Sequence, residues 1–353
     1  VPAINALGLS AMTAHWEFAW GPENLQHLAQ ELAHPLLAAN CYRESDGSCP
    51  FPATLEGAEL VVVLSHLGFP QDLKLAGEVP DVDVILSAHT HNRLDRPAVV
   101  GKTLVIQSGS HGSFIGRLDL TVEEGSVTDY RHELIPVDDS FPEDPEVARL
   151  VREALGDDSE MQRVVGETPV SLHRNTALHA PMDDVLLAAV ARAAGAEIAF
   201  SNGWRYGAPV PPGPVTLEDL WNIVPVNPVI STVDLTGAQI LGMMEENLER
   251  TYACDPFEQR GGYVKRFRGL TLYVKLENPK GHRIEAAFAG DEPLEPGRTY
   301  FVSFITAQGV PPGLGENRRD LDVRAIDALE AWFTDPEWTA AGEPPGAGRV
   351  EVI

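Results

Sequence analysis

The 353-residue sequence contains few cysteines, few basic side chains and no long apolar run. Its three cysteines are too few to build a disulfide scaffold. No apolar run reaches 18 residues, and the run at residues 60–64 has only the length of a strand, so we expect no membrane-spanning segment. With 26 Lys and Arg against 52 Asp and Glu, the net charge of −26 argues against a nucleic-acid partner and against an anionic membrane surface, because both bind basic patches.

The remaining composition is that of a folded globular protein. Hydrophobic residues make up 44% of the chain, which argues against disorder and fibres, and the length fits one large domain or two ordinary ones. Cys41 and Cys49 flank a polar loop, and the sequence leaves open whether they form a disulfide or stay free thiols. Val1 is not a typical start residue, so we expect that an upstream export signal has been removed.

The order of apolar runs and turn signals predicts two α/β units. Buried-strand runs alternate with helical patterns over residues 1–138, which is typical of a layered α/β domain. Residues 139–160 combine a polar, proline-rich stretch with one short helix and are predicted to be the linker. Residues 161–353 form the second predicted unit, in which an amphipathic helix over 177–194 precedes a short strand.

Histidines follow two of the predicted strands. His66 lies just beyond the first apolar run, and His89 and His91 lie just beyond the second, where ligands of open α/β sheets bind. In an extended chain, residues two apart face the same side, so His89 and His91 can point to one cluster. His15 is a further candidate. A single strand-end histidine is more often solvated than a ligand, but this repeated pattern favours a site for Zn, Mn, Fe, Ni or Co.

The polar groups around this predicted site are sparse. A dinuclear hydrolytic centre usually needs carboxylates, yet only Asp72 and Glu17 lie near the predicted ligands, and we expect both to act behind them.

In the second unit, Asn202, Gly203 and Arg205 belong to a glycine-bounded loop that follows a strand. One arginine in such a loop suits an anion clamp, and an ordinary turn with a surface arginine is an equally good interpretation.

Four motifs resemble those of the 5′-nucleotidase family, two-domain metallophosphoesterases that are usually exported. The motifs are Ala14-His15-Trp16-Glu17-Phe18, Leu64-Ser65-His66-Leu67-Gly68, Ala88-His89-Thr90-His91 and Ser201-Asn202-Gly203-Trp204-Arg205. The resemblance implies a four-layer α/β/β/α catalytic domain whose N-terminal part lies upstream of Val1. It also implies an interdomain helix, a C-terminal α/β substrate-binding domain, and a periplasmic or secreted location.

The resemblance also implies a metal site. Two divalent ions, Mn or Zn, would activate a water molecule and polarise the phosphoryl group. His66 and His89 would ligate one ion and His91 the other. His15 stands where the family usually has a metal-binding asparagine, and an imidazole is a competent replacement. Trp16 replaces the histidine that stabilises the transition state in the family.

On the substrate side, Arg205 falls on a phosphate-binding arginine of the family, next to Asn202 and Gly203. Asn227 lies in the stretch Pro225–Pro228, which matches a family motif but lacks its base-stacking ring. Such stacking is worth about 1–3 kcal/mol per base. The resemblance therefore implies a small anionic phosphate ester as substrate, with a weakened preference for nucleotides.

Three functions remain open at this point. The first is a metal-dependent phosphomonoesterase. The second is a hydrolase similar to the SoxB branch of the fold, because the pair His15-Trp16 replaces Asn-His; its substrate would be a cysteine S-thiosulfonate on a sulfur carrier protein. The third is a non-catalytic metal- or ligand-binding remnant, because the family's Asp-x-His and bridging-aspartate motifs are absent from this sequence.

Overall fold

The computed structural model describes residues 1–55, 57, 59–156, 159–202, 207–335 and 346–353. The chain is an α/β protein that divides into two compact units, residues 1–156 and 157–353. The boundary lies just after the helix predicted in the linker, Pro145–Leu155, so this helix belongs to the first unit.

The first unit contains a mixed four-stranded sheet and a long hairpin. Its helices are α1 (Pro2–Ala6), α2 (Pro22–Ala29), α3 (Phe69–Glu78) and α4 (Pro145–Leu155), and a 3-10 turn covers Trp16–Trp20. Its strands are β1 (Val62–Ser65), β2 (Val84–Ser87), β3 (Ala98–Val100), β4 (Thr103–Ile106), β5 (Phe114–Glu123) and β6 (Ser126–Pro136). The sheet order is β1-β2-β4-β3, and β5 pairs with β6.

The parallel strands bring two strand ends together. Helix α3 is the crossover between β1 and β2, as a parallel pair requires. It packs on the sheet through Ala76, which shares a buried cluster with Ile85 and Val105. In the register of the pair, Ser65 lies beside Ser87. The residues that follow these serines therefore start from adjacent points on one edge of the sheet.

The second unit contains two larger sheets and one strand pair. Its helices are α5 (Pro181–Ala194), α6 (Leu217–Ile223), α7 (Gly237–Tyr252), α8 (Thr306–Gly309) and α9 (Ala325–Phe333). Its strands are β7 (Val164–Thr168), β8 (Ile198–Ser201), β9 (Gly213–Thr216), β10 (Val229–Thr236), β11 (Arg266–Arg268), β12 (Leu270–Val274), β13 (Ile284–Ala289), β14 (Glu292–Pro293), β15 (Thr299–Ile305), β16 (Glu316–Arg324) and β17 (Arg349–Val352). The sheet orders are β11-β8-β15-β10-β16, β14-β13-β12-β17 and β7-β9.

Helix α5 forms the centre of this unit. It begins at Pro181, four residues later than predicted, because proline is well suited to the first helical turn. It ends at Ala194, because the left-handed backbone of Gly195 terminates the helix. Residues 182–191 are all buried. The helix is therefore enclosed on all sides, whereas the sequence pattern predicts one solvent-facing stripe.

The structure also describes the cysteines and the helices that bear on membrane insertion. Cys41 is half-buried and Cys49 is exposed, and both are free thiols. Within the part of the chain that the structure describes, no helix combines the length and the apolar character needed to cross a bilayer.

Candidate metal centre

Three imidazoles from separate segments meet at the edge of the first sheet. His66 directly follows β1, His89 lies two residues beyond β2, and His15 directly precedes the 3-10 turn. Their ligand atoms all lie within 4.8 Å of one another. The rings of His15 and His66 stack with centroids 4.1 Å apart, and those of His66 and His89 are 5.1 Å apart. We call these residues the three-histidine group.

Behind His66, a buried carboxyl group holds the end of β1. Ser65 Oγ donates a 2.5 Å hydrogen bond to Oδ1 of Asp72, a side chain with no solvent exposure on helix α3. Burial raises the pKa of Asp72, against the lowering effect of hydrogen bonds from Ser65 and Ser87. Asp72 thus lies behind the predicted ligands and fixes the strand ends from which they project.

The turn that carries His89 is fixed by one amide side chain. Gln107 Nε2 donates to Ser87 Oγ at 2.8 Å and to the Ala88 carbonyl at 2.7 Å. Gln107 Oε1 accepts a hydrogen bond from Thr90 Oγ1 at 3.3 Å. Gln107 is not among the residues predicted from the sequence, because its partners lie 17 to 20 residues away along the chain.

The surroundings of the group favour neutral imidazoles. The pKa of His66 is lowered to about 4, mainly by burial and in part by the nearby His15, against the opposing effect of Glu17. Burial also lowers the pKa of His15, again against Glu17. Glu17 Oε2 accepts a 2.8 Å hydrogen bond from the backbone N–H of His15 and so holds this turn. Neutral imidazole is the form that binds metal ions.

The fourth predicted ligand, His91, lies outside this group and contacts another histidine. His91 is not a member of the three-histidine group; its ring contacts that of His111 in a T-shaped arrangement, with centroids 5.8 Å apart. His111 lies in the segment after the parallel strand β4, too far beyond the strand end to share the signal of His66 and His89, and no predicted motif includes it. His89, His91 and His111 have φ angles of 71°, 57° and 57°, a backbone region that is uncommon for residues other than glycine.

The chemistry of these side chains fits a metal ion. Three neutral imidazoles with converging nitrogen atoms are a suitable ligand set for a zinc-type ion. Within the described residues, the group contains no carboxylate, so the ligand set differs from one in which an aspartate bridges two ions.

The predicted catalytic and substrate residues lie in diverse settings. Trp16 is 44% exposed, and its ring packs edge-on against that of His15 with centroids 5.6 Å apart. In the second unit, Asn202 Nδ2 donates to Gln308 Oε1 at 2.8 Å, and its buried Oδ1 has no hydrogen-bond partner among the described residues. Gly203 and Arg205 lie outside the described residues.

Asn227 serves the structure of the second unit. Its Oδ1 accepts a 3.0 Å hydrogen bond from the backbone N–H of Ile326, and its backbone carbonyl accepts one from Arg324 at 2.9 Å. These contacts attach the turn before β10 to the start of α9. Its side-chain carbonyl thus already accepts one structural hydrogen bond.

Comparison with known proteins relates the second unit to a known domain family and the longer chain to nucleotide-hydrolysing enzymes. Residues 164–306 match the family model of the 5′-nucleotidase C-terminal domain. The trifunctional nucleotide phosphoesterase YfkN of Bacillus subtilis is 31% identical over 244 residues, which is 65% of this chain and 16% of that protein. The apyrase of Aedes aegypti is 26% identical, over 65% of this chain and 45% of that protein. The chain thus spans less than half of the length of either relative.

Two solved structures share the fold over almost the entire chain. The sulfate thiohydrolase SoxB of Thermus thermophilus has a TM-score of 0.87 at 24% identity, covering 99% of this chain and 74% of that one. A 5′-nucleotidase precursor, also from Thermus thermophilus, has a TM-score of 0.80 at 24% identity, covering 97% and 83%. These likenesses confirm the expected α/β fold with its C-terminal 5′-nucleotidase-type domain. With the matched domain and the sequence relatives, they show that residues 164–306 form a 5′-nucleotidase C-terminal domain and that the chain is similar to 5′-nucleotidases and to SoxB.

Proposed function

We propose that this chain is a divalent-metal-dependent hydrolase that cleaves phosphomonoesters, either nucleotides or other small phosphate esters. The observation that carries the proposal is the three-histidine group, whose ligand atoms lie within 4.8 Å of one another. Three imidazoles so close together, two of them with a pKa lowered by burial, suit metal binding better than a structural role. Similarity to 5′-nucleotidases and to a nucleotide phosphoesterase supports phosphoester hydrolysis as the reaction class of that metal site.

In this proposal, the residues of the first unit bind the ions and the residues of the second unit bind the substrate. His15, His66 and His89 hold one ion, and His91 contributes to the second. When bound, the two ions activate a water molecule and polarise the phosphoryl group. Imidazole ligands suit zinc better than manganese, which prefers oxygen ligands, so zinc is the more fitting of the two expected metals for the three-histidine group.

For the substrate anion, we propose Arg205 as the phosphate-binding residue. Its planar guanidinium donates paired hydrogen bonds to phosphate oxygens, which suits a monoester dianion. Asn202 and Gly203 belong to the same motif, and the buried Oδ1 of Asn202, which has no partner among the described residues, can accept a hydrogen bond from a hydroxyl group of the ester. Asn227 contributes its amide nitrogen, because an anion needs a donor and the Oδ1 of Asn227 accepts from Ile326. A periplasmic or secreted location is part of the proposal.

The test is an assay of the full chain loaded with Zn²⁺ or Mn²⁺ against AMP and p-nitrophenyl phosphate. We expect metal-dependent phosphate release that His66→Asn reduces at least 100-fold. The matched control is His27→Asn, which removes a 72% exposed histidine side chain on α2 in the same unit. No turnover of either ester by metal-loaded wild type would contradict the proposal.

The pair His15-Trp16 favours a second candidate function. Beside the ligand His15, the chain has the indole of Trp16 in place of an imidazole, and this pair resembles the SoxB branch in sequence. The indole packs edge-on against the His15 ring. An indole has a single N–H donor and does not titrate, so it is a poorer proton donor than a histidine. This candidate function predicts sulfate release from a carrier-bound cysteine S-thiosulfonate and no hydrolysis of AMP. Phosphate release from AMP without sulfate release would eliminate it.

A further inference from the structure

His111 lies near the edge of the first sheet that carries the three-histidine group, and none of the sequence motifs includes it. Its ring contacts that of His91 with centroids 5.8 Å apart and an angle of 73° between the planes. The comparable value within the three-histidine group is 5.5 Å for His15 and His89, whose rings also meet edge-on. Two imidazoles at this spacing and angle are close enough to direct one nitrogen each towards a shared ion.

Backbone pairing, and not side-chain packing alone, brings the two histidines together. Beyond β4, the chain continues antiparallel to the segment that follows His91. Arg93 and Ser108 form an isolated bridge, Leu94 N–H donates to the Gln107 carbonyl at 3.1 Å, and Gly109 N–H donates to the Asn92 carbonyl at 2.9 Å. This short ladder ends at Asn92, the residue after His91, and at Gly109, two residues before His111, so the fold brings the two histidines together.

Two local features prepare His111 for a ligand. Ser110 Oγ lies 3.0 Å from His111 Nδ1, and this contact leaves Nε2 as the nitrogen available to an ion. Metal-binding histidines usually have such a partner on their second nitrogen. His91 and His111 also both adopt left-handed backbone angles, φ 57° in each case. Unfavourable backbone angles of this kind concentrate at functional sites, where the surrounding structure imposes them.

We propose that His111 is a metal ligand that acts with His91, so that the pair forms a second divalent-cation position distinct from the three-histidine group. The proposal rests on the proposed function, because it adds a ligand to the second ion of that site. The cation is of the zinc type, since both protein ligands are imidazoles. The second position thus contains a side chain from the segment after β4 as well as one from the β2 turn.

Equilibrium dialysis of the full chain, stripped of metal with a chelator, tests the proposal. The protein is dialysed against ZnCl₂ over a range of concentrations, and bound zinc is measured by mass spectrometry. A parallel sample loaded with Co²⁺ reports the ligand field of each position by visible absorption. The variants are His111→Asn, His91→Asn and His66→Asn, with His27→Asn as control. Asparagine tolerates the left-handed backbone that His111 adopts, so His111→Asn keeps the turn folded.

We expect wild type and His27→Asn to bind two equivalents. His111→Asn and His91→Asn should each weaken the same equivalent at least tenfold and alter the same part of the Co²⁺ spectrum, while His66→Asn weakens the other. An unchanged second equivalent in His111→Asn, within twofold, would overturn the proposal, as would a wild type that binds only one. If His66→Asn also leaves both equivalents unchanged, the proposed function fails as well, and the two failures are thereby distinguished.

Discussion

The buried imidazole of His66 makes the stability of the metal-free protein depend on pH. Its pKa is about 4 in the fold and near 6.5 in an unfolded chain, so between these values the unfolded state binds more protons. The free energy of unfolding therefore falls as pH decreases from 6.5 to 4. We expect His66 to account for about 1 kcal/mol of this loss, the full shift being discounted because the ring is partly exposed to screening water.

Urea unfolding in the presence of a chelator at pH 7 and pH 4.5 measures this loss. His66→Asn should show a smaller loss than wild type over the same interval, and His27→Asn should lose as much as wild type. If His66→Asn keeps the wild-type loss, the imidazole is not held in its neutral form by the fold.

A buried charge cluster in the second unit gives a further prediction for a single residue. Asp183 lies between Arg174 and Arg266, at 2.8 Å and 3.1 Å, and all three side chains are at most 2% exposed. Asp183→Ala leaves two buried guanidinium groups without this counter-charge, so the free energy of unfolding should fall by about 3–5 kcal/mol in urea. Glu153→Ala, which breaks an exposed ion pair with Arg149, should change it by at most about 1 kcal/mol.

At the scale of the elements, the sequence predicts the strands well and their ends less well. Apolar runs predict strands at residues 60–64 and 82–86, and the structure has β1 and β2 one or two residues later. Both strands end on a serine that an apolar pattern excludes, because Asp72 and Gln107 satisfy the buried hydroxyl groups. These partners come from other elements, and local periodicity contains no information about them.

The site shows the same division between local and non-local information. Strand ends predict His66 and His89, and parallel pairing does bring them together. His111 escapes such a prediction because its approach to His91 depends on the short ladder between the segments around Arg93 and Ser108. Nothing in the local pattern of either segment predicts that pairing.

A substitution in the turn between β1 and α3 tests whether this turn positions His66 for metal binding. Gly68 has a φ of +118°, and a Cβ there would lie 2.7 Å from Gln71 Oε1 and 2.9 Å from Thr90 Cγ2. Gly68→Ala should therefore lower the free energy of unfolding by about 2–3 kcal/mol and weaken zinc binding, because the turn also carries His66. Urea unfolding and equilibrium dialysis measure the two effects.

The matched control is Gly101→Ala in the turn between β3 and β4. Gly101 has a φ of +59°, and no atom lies within 4 Å of the added carbon. Only the left-handed backbone is then penalised, by about 1–2 kcal/mol, and zinc affinity should not change. Equal zinc affinity in the two variants would show that the Gly68 turn does not position His66.

At the scale of the whole molecule, the net charge of −26 opposes anionic ligands, yet the proposed substrate is an anion. Charges beyond about 8–10 Å are largely screened at physiological salt, so a small ester responds mainly to its immediate surroundings. Two divalent ions held by neutral imidazoles would keep most of their positive charge, because no carboxylate belongs to the three-histidine group in the described part of the chain. The acidic surface thus disfavours extended polyanions and still permits a monoester.

The two units have hydrophobic cores of very different size. Among the described residues, the second unit has clusters of 25 and 19 buried apolar residues, whereas the clusters of the first unit have four and three. Burial of apolar area is the main stabilising term, so the first unit should unfold first. We expect two transitions in calorimetry of the metal-free full chain.

Zinc should raise only the lower of these transitions, because every histidine of the proposed metal positions belongs to residues 1–156. At a free concentration 100 times Kd, one ion adds about 2.7 kcal/mol of stability. For a unit of this size, that corresponds to a rise in Tm of about 5–10 °C. The upper transition should move by less than the measurement error, and His66→Asn should remove most of the shift. A zinc-induced rise in the upper transition would instead place a metal site in the second unit.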